Sequence, residues 1–250
     1  MPDDAAPLKD TSVTDDSVDD DTDATDKPRF VRSRGMKFPF HPQITVGKIR
    51  GLLRRDVYER KESEAVLRMV QPDDVVLELG GGIGYMSTLI ATRRRARAVH
   101  TFEANPGLID YIKSVHAANG VDNVTVHNAL LAPEAGDPVD FFVRENLLSS
   151  SMTEANEGNI VSVEKVAVRS LSDTLAEIKP TVLVCDIEGA EAALLPAADF
   201  TGLRVAVIEL HPQWIGQAGV QAVFDAMHRA GLSYFPKASE GKVVAFRGGW

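Results

Sequence analysis

The chain has 250 residues, 44% of them hydrophobic, and a formal net charge of −9, which suits one large α/β domain with its own core. Ten aspartates crowd residues 1–28 and the remainder is close to neutral, so the overall sign argues against a nucleic-acid surface covering much of the protein but not against a local basic patch. The single cysteine, Cys185, excludes an intramolecular disulfide and a cysteine-based zinc site; no apolar run reaches the roughly 18 residues of a membrane helix and no basic-then-apolar leader opens the chain, leaving a cytoplasmic location by default.

Residues 1–28 carry almost no large apolar side chains and read as a disordered acidic tail. Residues 29–55 interleave Arg29, Arg32, Arg34, Lys37, Lys48, Arg50, Arg54 and Arg55 with Phe30, Phe38 and Phe40. They read as a basic connecting or lid segment, with contact to an anionic substrate or to the acidic tail as the alternative. Residues 56–250 then form one domain. Tyr58 to Val70 has the apolar spacing of an amphipathic helix, and Val75 to Leu79 is a short apolar run suited to a buried strand. A glycine turn follows, then a helix from Tyr85 to about Arg93. Ala98–Glu103, Val124–Leu130, Val139–Arg144, Ser162–Val168, Val182–Asp186 and Arg204–Leu210 read as strands. Pro106–Asn119, Ser170–Ile178 with a serine cap, and Val220–Ala230 read as helices. Leu232–Phe235 and Lys242–Phe246 read as a closing hairpin around Glu240-Gly241. The alternation predicts an α/β fold: a mostly parallel, seven-stranded sheet covered on both faces, with a terminal antiparallel hairpin. Ligands of such sheets sit at the carboxyl ends of strands, where the strand order reverses.

The turn is Glu78-Leu79-Gly80-Gly81-Gly82-Ile83-Gly84. A dinucleotide G-x-G-x-x-G frame fails from either start, because the third glycine falls at Tyr85 or at Ser87. The spacing present, through Glu78, Gly80, Gly82 and Gly84, resembles the first motif of class I S-adenosylmethionine-dependent methyltransferases, whose fold is Rossmann-like. Glu103, at the end of the next strand, can accept both hydroxyls of an adenosine ribose, a device shared with NAD-binding proteins. By the same resemblance Asn128 and Ala129 read the adenine edge. A nicotinamide-linked oxidoreductase and a non-catalytic binder of the same cofactor are the rival functions.

The run Val184-Cys185-Asp186-Ile187-Glu188-Gly189-Ala190-Glu191 carries an apolar strand into three carboxylates, and Ile208-Glu209-Leu210-His211-Pro212 follows the next strand. Together these segments resemble the FkbM family of methyltransferases over about residues 56–248. That resemblance implies methylation of a hydroxyl on a small molecule such as a sugar or secondary metabolite, with no nucleic acid or membrane partner. His211 or Asp186 is the candidate base and Glu188 orients the substrate or its partner, with Glu191 as a cap or supporting group. A variant in which Asp186, Glu188, Glu209 and His211 bind a divalent cation is the less favoured reading. Cys185 faces away from Asp186 along its strand and belongs to the core. Ser149-Ser150-Ser151-Met152 forms a polar loop over the fourth strand's end.

Overall fold

The computed structural model describes residues 29–145 and 159–249. The acidic tail and the Ser149–Met152 loop of the sequence reading lie outside them. The described chain opens with a hairpin, β1 (Phe30–Ser33) against β2 (Met36–Pro39), followed by helix α1 (Gly47–Arg54) and helix α2 (Arg60–Met69). The central sheet is built from β3 (Val75–Leu79), β4 (Ala98–Glu103), β5 (Val124–Ala132), β6 (Gly136–Arg144), β7 (Ile160–Ser170), β8 (Val182–Cys185), β9 (Val205–Glu209), β10 (Ser233–Tyr234) and β11 (Val243–Arg247). Its spatial order is β10-β11-β9-β8-β3-β4-β5-β7-β6. The β3–β4, β3–β8, β4–β5, β5–β7 and β8–β9 pairs are parallel. The antiparallel pairs lie at the two edges, β6 on β7 and the β10–β11–β9 run. This is the Rossmann-like α/β fold of class I S-adenosylmethionine-dependent methyltransferases.

The sheet has nine strands where the sequence reading has seven. The difference comes from how strands were grouped, because β6, β7, β10 and β11 all overlap segments read as extended. Two local readings also change. The closing strands are joined through a 3-10 turn at Pro236–Ala238, not through Glu240-Gly241 alone. The last long helix begins eight residues earlier than expected.

The remaining helices are α3 (Tyr85–Leu89), α4 (Pro106–Ala118), α5 (Leu171–Ile178), α6 (Glu191–Leu194) and α7 (Pro212–Arg229). A π-helical turn, Ile90–Arg94, continues α3. Proline occupies the first turn of both α4 and α7, where its missing N–H is not needed. The Asn105 side chain accepts from the Gly107 N–H at 2.9 Å and Ser170 accepts from the Asp173 N–H at 3.1 Å, so α4 and α5 start on a satisfied cap. Gly216, at φ 64° and ψ −178°, interrupts α7 and separates its first turn from the rest.

Two apolar layers sandwich the sheet. The hairpin, α2, α3 and α4 cover the face of Val76, Val99, Val184 and Val207. The other face, with Leu77, Leu79, Leu183 and Ile208, is covered from α5, α6 and α7. Cys185 lies in this second layer and is buried.

One polar group staples the amino ends of the central strands. Asp74, 4% exposed, accepts from Thr181 Oγ1 at 2.8 Å, from the Gln71 N–H at 2.7 Å and from the Arg204 guanidinium. Removing that carboxylate leaves a half-buried arginine and two other donors without their acceptor. Asp74→Ala is expected to cost about 3 kcal/mol, read as a lowered urea midpoint with an unchanged slope.

Candidate active site

The strand order reverses between β3 and β8, since β4 and β5 lie to one side of that pair and β9 to the other. The glycine turn leaves β3 and Asp186 leaves β8 at this same point, and the Asp186 N–H donates to the Leu79 carbonyl at 2.9 Å. Gly80 makes the approach possible. A Cβ there would lie 1.8 Å from the Asp186 carbonyl oxygen, and φ is +87°. Gly84, at φ 72°, starts α3 and packs on Ile112, which a Cβ would meet at 3.1 Å. Gly82 differs. It has φ +51°, but a Cβ would point into open space.

That open space is bordered by Glu103. Its Oε2 accepts from the Gly82 N–H at 2.7 Å and its Oε1 from the Asn105 N–H at 2.7 Å. Each oxygen retains a lone pair, so the carboxylate is held rigid with acceptor capacity left for a diol. Burial raises its pKa despite these donors. Asn128 lies beside it in register, but its amide donates to the Glu103 and Ala104 carbonyls at 2.9 and 3.1 Å. In this arrangement Asn128 fixes the Glu103–Ala104 backbone, and Ala129 is buried in the apolar layer of Leu79 and Phe102.

Glu78 sits below the turn, 1% exposed, and neither carboxylate oxygen has a hydrogen-bond partner. Burial pushes its pKa up to about 8. It lines a narrow pocket with Glu59, Glu62, Asp186 and Glu209. Glu59 and Glu62 belong to the α2 segment, which the sequence reading gave only a packing role. Burial lifts Glu62 to about 7, with Glu209 beside it raising it further. Burial also takes Asp186 to about 7, reinforced by Glu209 and Glu188. Five carboxylates thus converge on a pocket floored by the glycine turn, and a cationic group is the charge that would relieve them. S-adenosylmethionine, the cofactor of this fold, carries an ammonium and a sulfonium, and the unpartnered Glu78 and the open side of Gly82 fit it.

His211 closes the far side. It ends the β9 turn as the N-cap of α7 and is 4% exposed. Its Nδ1 lies 2.7 Å from Oε1 of Glu191, which is fully buried and also accepts from the Gly189 N–H at 3.0 Å. The buried carboxylate at Nδ1 fixes the ring's orientation and leaves Nε2 facing the crevice. Nε2 is 3.3 Å from Glu188 Oε2 and 3.7 Å from Asp186 Oδ1. The structure therefore brings Asp186, Glu188 and His211 together. Their ligand atoms all lie within 4.8 Å of one another, so these three could hold a cation, and Glu209 is not part of that group. Glu188 is at the rim, its side chain 70% exposed and its φ at +51°.

Sequence reasoning did not single out Trp214. It stacks on His211 with ring centres 5.0 Å apart and 17° between planes, yet remains 59% exposed. Gly189 leaves room for it, because a Cβ there would meet the indole at 2.9 Å. A solvent-exposed tryptophan three residues past the candidate base was the available signal.

Residues 54–133 match the model of the TRM5/TYW2 methyltransferase domain. An uncharacterized protein of Methanocaldococcus jannaschii is 35% identical over 71 residues, 28% of this chain and 27% of its own length, so the chain spans about a quarter of the curated relative it matches. A putative transferase of Pyrococcus horikoshii superposes with a TM-score of 0.50 at 12% identity, over 89% of this chain and 72% of that one. M. jannaschii TYW2 in complex with AdoMet gives 0.48 at 13% identity, over 88% and 83%.

These matches correct two expectations. The chain resembles the TRM5/TYW2 domain and not the FkbM family. The strand-end segments Asp186–Glu191 and Ile208–Pro212 that suggested the latter sit on a fold that many acceptor classes share. The expected small-molecule hydroxyl acceptor, with nucleic acid excluded, also falls, because the matched family acts on tRNA. A net charge dominated by the first 28 residues was a poor guide to the surface of the rest. Among the described residues no helix is long and apolar enough to cross a membrane.

Gly82→Val fills the open side of the turn. It is expected to abolish S-adenosylmethionine binding in calorimetry while the far-ultraviolet circular dichroism is retained; unchanged affinity would refute the assigned cofactor position. Glu78 provides a pH signature. Its folded pKa lies above its ordinary value, so the stability it contributes is complete below about pH 4.5 and is lost as pH rises through about 8. The cofactor-free protein is expected to lose urea resistance over that window. Glu78→Gln flattens the slope without removing it, because Asp186 and Glu62 shift in the same direction.

Proposed function

We propose that the protein transfers the methyl group of S-adenosylmethionine to a nucleobase of tRNA, an activity of the TRM5/TYW2 type. The observation that carries this reading is the family match over residues 54–133, which contains both the glycine turn and the Glu103 clamp. Trp214 supports it independently, since an exposed indole beside the candidate base suits a flat aromatic acceptor better than a lone hydroxyl.

The cofactor supplies an electrophilic methyl on a sulfonium. The chain's residues have the complementary tasks of orienting the acceptor and removing its proton. Transfer would exchange the methyl–sulfur bond, leaving a neutral thioether, for a new N–C or O–C bond, and the acceptor atom's proton must leave. His211 Nε2, aimed by Glu191 at Nδ1, and Asp186, close to half-protonated near neutral pH, face the crevice where it would be released. Glu188 borders the same opening from the rim.

The test is methyl incorporation from labelled S-adenosylmethionine into unmodified tRNA, followed by nuclease digestion and mass spectrometry of the nucleosides. A nucleoside gaining one methyl is expected. No incorporation into any tRNA by a protein that binds the cofactor overturns the reading. His211→Ala and Asp186→Asn are expected to lower kcat by about 10²- to 10⁴-fold with cofactor affinity retained. Trp214→Ala is expected to weaken RNA use by about 5- to 150-fold in KM, with little change in kcat at saturation.

A further inference from the structure

Residues 29–55 contain eight arginines and lysines and no aspartate or glutamate, whereas residues 56–250 contain 17 basic against 26 acidic side chains. In the fold these eight lie on or immediately beside the β1–β2 hairpin and α1, and Arg29, Arg32, Lys48, Arg50, Arg54 and Arg55 are exposed. A solvated connecting segment needs no such one-sided composition.

The segment is also fixed in place. Met36 and Phe38 are buried in the apolar layer, and the Phe38 ring stacks on Tyr85 at 5.5 Å, directly after the glycine turn. Tyr111 Oη donates to the Pro39 carbonyl at 2.9 Å, and the Asn119 amide pairs with the Lys37 backbone at 2.8 and 2.7 Å. The hairpin therefore lies along α4 as a rigid platform. Arg93, from the π-helical turn, donates to the Arg34 carbonyl and brings its own charge to the same side. Phe40, 37% exposed, lies under the Arg29 guanidinium at 4.5 Å. The chain runs directly from this platform to the pocket. Arg55 precedes the pocket residue Glu59 by four positions, which places their Cα atoms within about 14 Å.

We infer that the hairpin and α1 form the docking surface for the phosphate backbone of the RNA substrate. This rests on the tRNA reading above and adds the surface that reading lacks. Charge complementarity commits the surface to a polyanion. Preorganised guanidinium groups beside an exposed aromatic ring suit a nucleic-acid strand, whose affinity is then set by counterion release.

The test measures binding of a fluorescent tRNA to the full chain by anisotropy at several salt concentrations, beside the triple variant Arg32→Gln, Arg50→Gln, Arg54→Gln. All three side chains are exposed, so the variant is expected to fold and to bind S-adenosylmethionine normally in calorimetry. The variant should bind tRNA about tenfold or more weakly at moderate salt, and its plot of log affinity against log salt should be shallower by about 2 to 3. A control neutralising Lys237 and Lys242, on the β10–β11 side, should change little. Affinity and salt slope equal to wild type overturn the surface assignment and leave the tRNA reading standing. So does a variant that keeps tRNA affinity but alters protease cleavage within residues 1–28, which gives the surface to the acidic segment. A wild-type protein that binds anionic vesicles or nothing, and no tRNA, overturns both.

Discussion

The site depends on one close approach. Where β3 ends, the backbone of Gly80 lies against the Asp186 carbonyl so tightly that no side chain fits between them. That contact joins the two halves of the sheet at the point where their order reverses. It sets the glycine turn beside the strand that leads into Asp186. The parallel β3–β8 pairing holds both ends in register, and the Asp74 staple at the opposite end stops the two strands from sliding. Everything at the crevice is built outward from this pair.

Charge is the second organising element, and the two ends of the protein's surface treat it oppositely. The pocket gathers carboxylates and removes them from water, and that burial raises Glu59, Glu62, Glu78 and Asp186. The amino-terminal platform gathers guanidinium groups and leaves them in water. An acidic well beside a basic ledge is the arrangement that would separate, by sign, a cationic cofactor from the polyanionic acceptor proposed above. Neither group of charges explains the protein's net value, which comes from the first 28 residues.

The strand–glycine–helix unit was legible because its signals are local: an apolar run, glycines at fixed spacing and a carboxylate at the end of the following strand. Ser170 could likewise be read as a cap from the helix pattern after it. The pairing of His211 with Glu191 could not, since those residues are 20 apart in sequence and meet only once α6 and α7 pack together. Glu59 and Glu62 looked like the polar face of an amphipathic helix, and only tertiary placement turns that face toward a pocket. The first turn of α7 was missed because Gly216 breaks the helix there, and the helix read from the sequence starts only at Val220. The acceptor was misread for a different reason. The motifs that stood out belong to the cofactor half of the site, and residues touching the acceptor follow no fixed spacing.

The interruption at Gly216 divides α7 into parts with separate obligations. The long part is locked by Val223, Ala226 and Met227 in the second apolar layer. The short part, Pro212 to Ile215, presents Trp214 over His211. Because the backbone is already broken between them, the short part can change its exposed residue without disturbing the register of the long one. A substitution at Trp214 thus changes what this turn presents beside His211 while the packing of the long part stays intact.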